Sequence, residues 1–249
     1  MPEVKRRAVN GFEMAFWHER CGRDGAPVVV CVHGWPETKL LYSRVVGPLV
    51  AAGFDVVVPD LRGFGDSGLA PDGFYDIVSH ARDIHALVHD GLGADEVVLV
   101  GGDLGGPVVQ EAALRWPGWV RNMVVFNSPL AYDKERMQGM ATRADPSTAD
   151  YFVRQGTDAD ALAAELDTEE KRIAYVEQFY GPRPWAHPGA FTAGEARMHA
   201  LPFADAAKLR ASFGNYESAF DAAKRAERPL LGRNAVTPTL VYFGTSDRV

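Results

Sequence analysis

A lone carboxylate at the point where a strand turns into a helix can act as a nucleophile as well as a cap. In residues 97–106, VVLVGGDLGG, an apolar run ends on Asp103 between pairs of glycines. Gly101 and Gly105 bracket it in the G-x-Nuc-x-G spacing of a tight strand-to-helix turn, which pushes its central side chain outward. Serine is the usual occupant of that centre. Aspartate is also a favoured helix N-cap, so it could simply cap a helix starting at Leu104. On this stretch alone both readings stand.

The elements that would position Asp103 follow from the hydrophobic pattern. VKRRAV and EMAFWHER flank Asn10-Gly11, a strong hairpin signal, and APVVVCVHG is a continuous apolar run suited to a sheet covered on both faces. FDVVVPD, EVVLVGG, VRNMVVFN and PTLVYFG repeat that pattern, separated for the most part by helical periodicity over 40–52, 78–91 and 104–116. This alternation predicts an α/β fold: a mostly parallel, doubly wound sheet with an antiparallel N-terminal hairpin. After Asn127 the alternation stops. No strand is expected over 130–234, whereas Ile173, Val176, Phe179 and Tyr180 recur at helical spacing behind the acidic start Asp167-Thr168-Glu169-Glu170. The expected organisation is a core over 1–129, a helical cap or lid over 130–234, and a resumed core over 235–249. Such a lid would lie over the carboxyl edge of the sheet, where open α/β sheets place ligands.

Composition narrows the partners. The net charge of −7 is distributed over 26 basic and 33 acidic side chains without a long run of either sign, which argues against nucleic acid or an anionic membrane. No apolar run reaches the length of a membrane span, and the basic start lacks the apolar segment of a secretory signal. Cys21 and Cys31 read as two reduced thiols, and the cytoplasm is the expected compartment. No cofactor and no metal are expected. His85 and His89 lie four apart on a predicted helix, but no carboxylate or cysteine set accompanies them, so they read as packed or solvated helix histidines.

Three more segments fall at strand ends: His33-Gly34-Trp35-Pro36-Glu37, Asp60-Leu61-Arg62-Gly63-Phe64-Gly65-Asp66-Ser67 and Gly244-Thr245-Ser246-Asp247-Arg248-Val249. With the turn at Asp103, their order and spacing resemble the α/β-hydrolase superfamily over nearly the whole chain. The pairing of H-G-x-P with an aspartate is similar to its epoxide hydrolase branch. That resemblance implies Asp103 as nucleophile and Asp247 as the acid of the triad. It also implies the backbone N–H groups of Trp35 and Leu104 as the oxyanion hole, and Tyr151 and Tyr216 as lid tyrosines that protonate the opening epoxide. His33, Pro36, Asn127 and Trp185 would line the substrate pocket, although a structural turn is the favoured reading for His33 itself. The expected partner is a small-molecule epoxide.

An aspartate suits that chemistry. Serine attacking a saturated carbon would leave an ether, whereas a carboxylate is ionised at neutral pH and leaves an ester that water can cleave. The alternative chemistry is dehalogenation by the same aspartate. Haloalkane dehalogenases usually supply an N–H donor from a tryptophan after the nucleophile, where this chain has Leu104. Fluoroacetate dehalogenases carry an arginine there and a lid histidine-tryptophan pair, for which only Trp185 and His187 are in place. Tyr132, Tyr175 and Tyr180 also occupy the insertion, so ordinary packing is the competing reading for any lid tyrosine.

Two features depart from the resemblance. Epoxide hydrolases commonly read G-H-D-W-G-G where this chain reads G-G-D-L-G-G. The family's histidine base lies beyond the acid, after one more strand, and the sequence stops at Val249. The expectation is therefore a fragment lacking the last strand, the last helix and the base. A naturally short form would instead be a non-catalytic binding protein. Its uncovered sheet edge would favour association, a homodimer being one outcome.

Overall fold

The computed structural model describes residues 1–128, 150–181, 189–233 and 236–244. The chain opens with β1 (Lys5–Val9) and β2 (Phe12–Glu19), antiparallel and in register at Val9 and Phe12. Asn10 and Gly11 between them have φ of 44° and 88°, the left-handed pair that a two-residue hairpin turn requires. Next come β3 (Val28–Val32), β4 (Asp55–Pro59), β5 (Val97–Gly102), β6 (Val120–Phe126) and β7 (Thr239–Tyr242). The sheet order is β1-β2-β4-β3-β5-β6-β7, with β2 antiparallel to β4 and every later pairing parallel. The expected α/β class, parallel sheet and antiparallel hairpin are all present.

This order makes a switch point. From β3 the chain steps to β4 on one side and later to β5 on the other, so the carboxyl ends of β3 and β5 diverge around a crevice. Both faces of the central strands are covered, as their continuous apolar runs require, whereas β7 at the edge is exposed. On one face Val30, Val32, Val57 and Leu99 pack with α2 (Ile77–His85) and α3 (Gly105–Arg115) through Ala81, Ile84, Val108 and Ala112. On the other, Trp17, Val29, Cys31, Val56 and Val58 pack with Tyr42 and with Val46 of α1 (Val46–Ala51). Cys21 and Cys31 are both free thiols, and burial pushes Cys31 up to about 12.

The helix expected over 40–52 is shorter. A 3-10 turn spans Lys39–Tyr42 and α1 begins only at Val46. Pro48, which lacks an N–H, then falls in the first turn of α1, where no intrahelical partner is needed. The segment between β6 and β7 is helical among the described residues. It holds α4 (Asp150–Thr157), α5 (Ala159–Glu165), α6 (Glu169–Glu177), α7 (Ala193–Ala200), α8 (Ala206–Ser212) and α9 (Gly214–Phe220). As expected, Ile173, Val176, Phe179 and Tyr180 turn inward, and the hydroxyl of Thr168 caps α6 by accepting from the Lys171 N–H at 3.2 Å.

The loop after β4 is tied to α2 by a buried ion pair. Arg62 donates from Nε and Nη2 to the two oxygens of Asp83 at 2.5 and 2.8 Å, and both side chains are shielded from solvent. Truncating one partner of such a pair leaves an uncompensated buried charge. Arg62→Met should therefore lose about 3–5 kcal/mol of unfolding free energy in urea titrations, and adding Asp83→Leu should recover a large part of it.

Candidate active site

Asp103 sits between β5 and α3 with φ of 47°, a left-handed conformation uncommon for a residue with a side chain. Two glycines allow the turn to close. A Cβ on Gly101 would lie 2.4 Å from the Gly105 carbonyl oxygen, and one on Gly105 would lie 2.2 Å from that of Val32. The backbone of Asp103 is fixed at both ends. Its N–H donates to the Asn127 carbonyl at 3.1 Å, and its carbonyl accepts from the Gly106 N–H at 3.1 Å and the Ser128 hydroxyl at 2.5 Å. The Asp103 side chain reaches across to the loop after β3, its Oδ1 accepting the Trp35 N–H at 2.7 Å.

That loop comes close because Gly34 has no side chain. A Cβ there would meet Asp103 Oδ1 at 2.4 Å and the Leu104 amide nitrogen at 2.7 Å. The Trp35–Pro36 peptide bond is cis. Below it, His33 is fully buried; its Nδ1 faces the Gly34 carbonyl at 2.9 Å and its Nε2 accepts the Leu61 N–H at 3.0 Å. These contacts fix a neutral ring protonated at Nδ1, and burial above all lowers its pKa. His33 therefore braces the turn, the structural role favoured for it from the sequence. Asp60 links the same loops, accepting from the Lys39 N–H and ammonium at 2.8 and 2.5 Å and from the Asp66 N–H at 2.8 Å.

An aromatic cluster from the helical segment covers Trp35. Tyr151 of α4 stacks on its indole at 5.4 Å and 14°, Tyr216 of α9 meets it edge-on at 5.7 Å, and the two tyrosine rings lie 5.7 Å apart. Phe179 packs edge-on at 4.7 Å, and the indole Nε1–H donates to the Ser212 hydroxyl at 3.0 Å. Burial, then Tyr151 and then the Asp103 charge hold the Tyr216 phenol well above its ordinary value. The structure thus brings together Asp103, Trp35, Leu104, Tyr151 and Tyr216. Pro36 adjoins them, its carbonyl accepting the Tyr180 hydroxyl at 2.5 Å.

The remaining expectations fare differently. Asn127, with φ of 42°, ties strand ends together: its N–H donates to the Tyr242 carbonyl at 3.2 Å, and its Oδ1 accepts the Gly244 N–H at 3.3 Å, joining the ends of β6 and β7. Asp247 and Trp185 lie outside the described residues.

Sequence reasoning missed Glu37. Its Oε2 accepts the Gly34 N–H at 2.6 Å, and burial followed by the Asp103 charge raises its pKa. Its place in His33-Gly34-Trp35-Pro36-Glu37 was the available signal.

Comparison with known proteins fits this architecture. Residues 27–249 match the α/β hydrolase fold family model, and the chain belongs to that family. Within it, the chain is 40% identical to Epoxide hydrolase A of Mycobacterium tuberculosis over 153 residues, 61% of this chain and 47% of that protein. It is 34% identical to a haloalkane dehalogenase of Bradyrhizobium diazoefficiens over 121 residues, 49% of this chain and 37% of that protein. The aligned parts thus span less than half of either relative. The epoxide hydrolase CorEH shares the fold with a TM-score of 0.81 at 21% identity, over 98% of this chain and 82% of that one. No helix among the described residues is long and apolar enough to cross a membrane.

The raised Glu37 carboxyl yields a pH prediction. The folded state keeps this proton above the ordinary carboxylate pKa while the unfolded state releases it, so wild-type stability falls as pH rises through that interval. Glu37→Gln removes the titration, and its side-chain oxygen can still accept from Gly34. Its melting temperature relative to wild type should therefore climb as pH rises from 4 towards 8; a constant difference would contradict the raised carboxyl.

Proposed function

We propose that the protein hydrolyses an epoxide to a vicinal diol through a covalent ester on Asp103. The observation that carries this reading is the carboxylate of Asp103, one oxygen on the Trp35 N–H, at a left-handed turn covered by Trp35, Tyr151 and Tyr216. In this reading Oδ1 stays on the Trp35 N–H and Oδ2 attacks the ring carbon. The carbon–oxygen bond of the epoxide breaks, and its oxygen takes a proton from a tyrosine hydroxyl. Phenols suit this role because they stay neutral near pH 7, and the environment of Tyr216 further resists its ionisation.

The second half of the reaction uses the same geometry. The ester carbonyl oxygen is then Oδ1, already facing the Trp35 N–H, so the charge that develops when water attacks meets a donor in place. Leu104 supplies the other N–H at the start of α3. Preorganised donors of this kind are worth about 10² to 10³ in rate each. In this reading Asp247 is the acid that orients a histidine base. The segment between β6 and β7 acts as the lid, and the substrate is a small molecule.

Dehalogenation is the second reading, favoured by the similarity to a haloalkane dehalogenase. Leu104 weakens it, since its side chain has no N–H to offer a departing halide, whereas paired phenols suit an alkoxide.

Epoxide and haloalkane panels separate the two. With styrene oxide, the intact mass of the chain should rise by one substrate mass, or diol should accumulate if the ester turns over. Asp103→Asn should abolish both. Tyr151→Phe and Tyr216→Phe should each slow ester formation by about 10²-fold or more while leaving an ester already formed to hydrolyse at its usual rate. Halide release without epoxide opening would assign the dehalogenase reaction, and an inert, folded chain across both panels would overturn the nucleophile.

A further inference from the structure

Beyond the Asp103 site, the structure assembles a second group of side chains with metal-binding chemistry. Helix α2 ends at His85, and the chain continues as a π-helical turn over Ala86–Gly91. The change of helix type alters which residues share a face. In an α-helix His89 follows His85 at about 40° and Asp90 at about 140°, nearly the opposite side. A turn hydrogen-bonded from i to i+5 brings the fifth residue back round, and such π turns recur at functional sites.

His89 Nδ1 lies 2.7 Å from Asp90 Oδ1, and His85 Nδ1 lies 4.0 Å from Asp90 Oδ2. One donor atom from each of the three residues lies within 4.8 Å of the others. The carboxylate partner that the sequence reading did not find is therefore the residue next to His89. His85 is held in place, stacked on Trp116 at 4.1 Å and 18° with Trp119 edge-on at 4.8 Å. His89 and Asp90 are more exposed, with side chains 40% and 62% accessible, and so are free to adjust. The turn itself is tied down by Arg7, which donates to the Gly91 carbonyl, and by the Ala94 N–H, which donates to the Val88 carbonyl at 3.1 Å.

We propose that His85, His89 and Asp90 form a binding site for a borderline divalent transition-metal ion such as Zn²⁺, Ni²⁺ or Cu²⁺. Two imidazole nitrogens and one carboxylate oxygen match those ions; Mg²⁺ and Ca²⁺ take all-oxygen sets. Around tetrahedral Zn²⁺, such donors stand about 3.3 Å apart. The His85 and His89 rings stack at 4.6 Å and 21°, so convergence on one ion means swinging the exposed His89 ring off that stack and closing Asp90 on His85, rotamer changes on an exposed turn. Water would fill the remaining coordination positions. The site shares no residue with the Asp103 cluster, so it would stabilise the end of α2 and take no part in the reaction.

The test uses the untagged chain after chelator dialysis, with ZnCl₂ titrated by calorimetry and CuCl₂ followed by tryptophan fluorescence. The expected result is one ion per chain at micromolar affinity, with Cu²⁺ quenching Trp116 and no response to equal Mg²⁺ or Ca²⁺. His89→Ala and Asp90→Ala, both on the exposed part of the turn, should each weaken binding by about tenfold or more while leaving the melting temperature of the metal-free chain unchanged. Absence of Zn²⁺ binding, or wild-type affinity in either variant, would overturn the three-ligand site.

Discussion

The hydrogen bond from the Trp35 N–H to Asp103 Oδ1, 2.7 Å long, is the interaction on which the arrangement of this protein depends. It joins the carboxyl ends of β3 and β5, which the strand order sets side by side at the switch point. For the bond to form, Asp103 must take a left-handed backbone conformation, a departure that costs on the order of 1–3 kcal/mol. The surroundings offset that cost. Asn127, Gly106 and Ser128 satisfy the backbone of Asp103, Gly101 lets its turn close, and Gly34 and Gly105 remove the atoms that would keep the two loops apart.

Trp35 carries the same constraint outward. Its amide faces the carboxylate while its indole is the surface on which Tyr151, Phe179 and Tyr216 pack. Helices α4 and α9, far apart in sequence, meet through Phe152 against Tyr216 and Phe220. The two tyrosines are thus referenced to the carboxylate through one residue, and a shift of the Trp35 loop would move the two phenols and the Asp103 carboxylate together.

Much of this was legible in the sequence wherever the signal is local. Asn10-Gly11 specifies its turn through backbone conformation, continuous valine runs specify strands buried on both faces, and the glycine spacing around Asp103 specifies a turn that only residues without a Cβ can close. What was not legible depends on long-range partners. The role of His33 is set by Leu61, that of Asn127 by β7, and that of Glu37 by its closeness to Asp103; none of these is a property of the neighbouring residues. The break between Tyr42 and Val46 follows from Pro48, which tolerates only the first turn of a helix, a local signal outweighed in the sequence reading by apolar periodicity. The position of Asp90 beside His85 escaped for a different reason: α-helical spacing was assumed where the helix widens.

Two carboxyl groups, those of Asp103 and Glu37, face the same loop, and the account assigns nucleophilic attack to Asp103 alone. The most direct measurement is proteolysis and fragment sequencing by mass spectrometry of the chain quenched shortly after mixing with an epoxide. The account predicts the substrate mass on the carboxyl of Asp103, with Glu37 unmodified. An ester on Glu37, or substrate turned over with no covalent adduct at any time point, would contradict it.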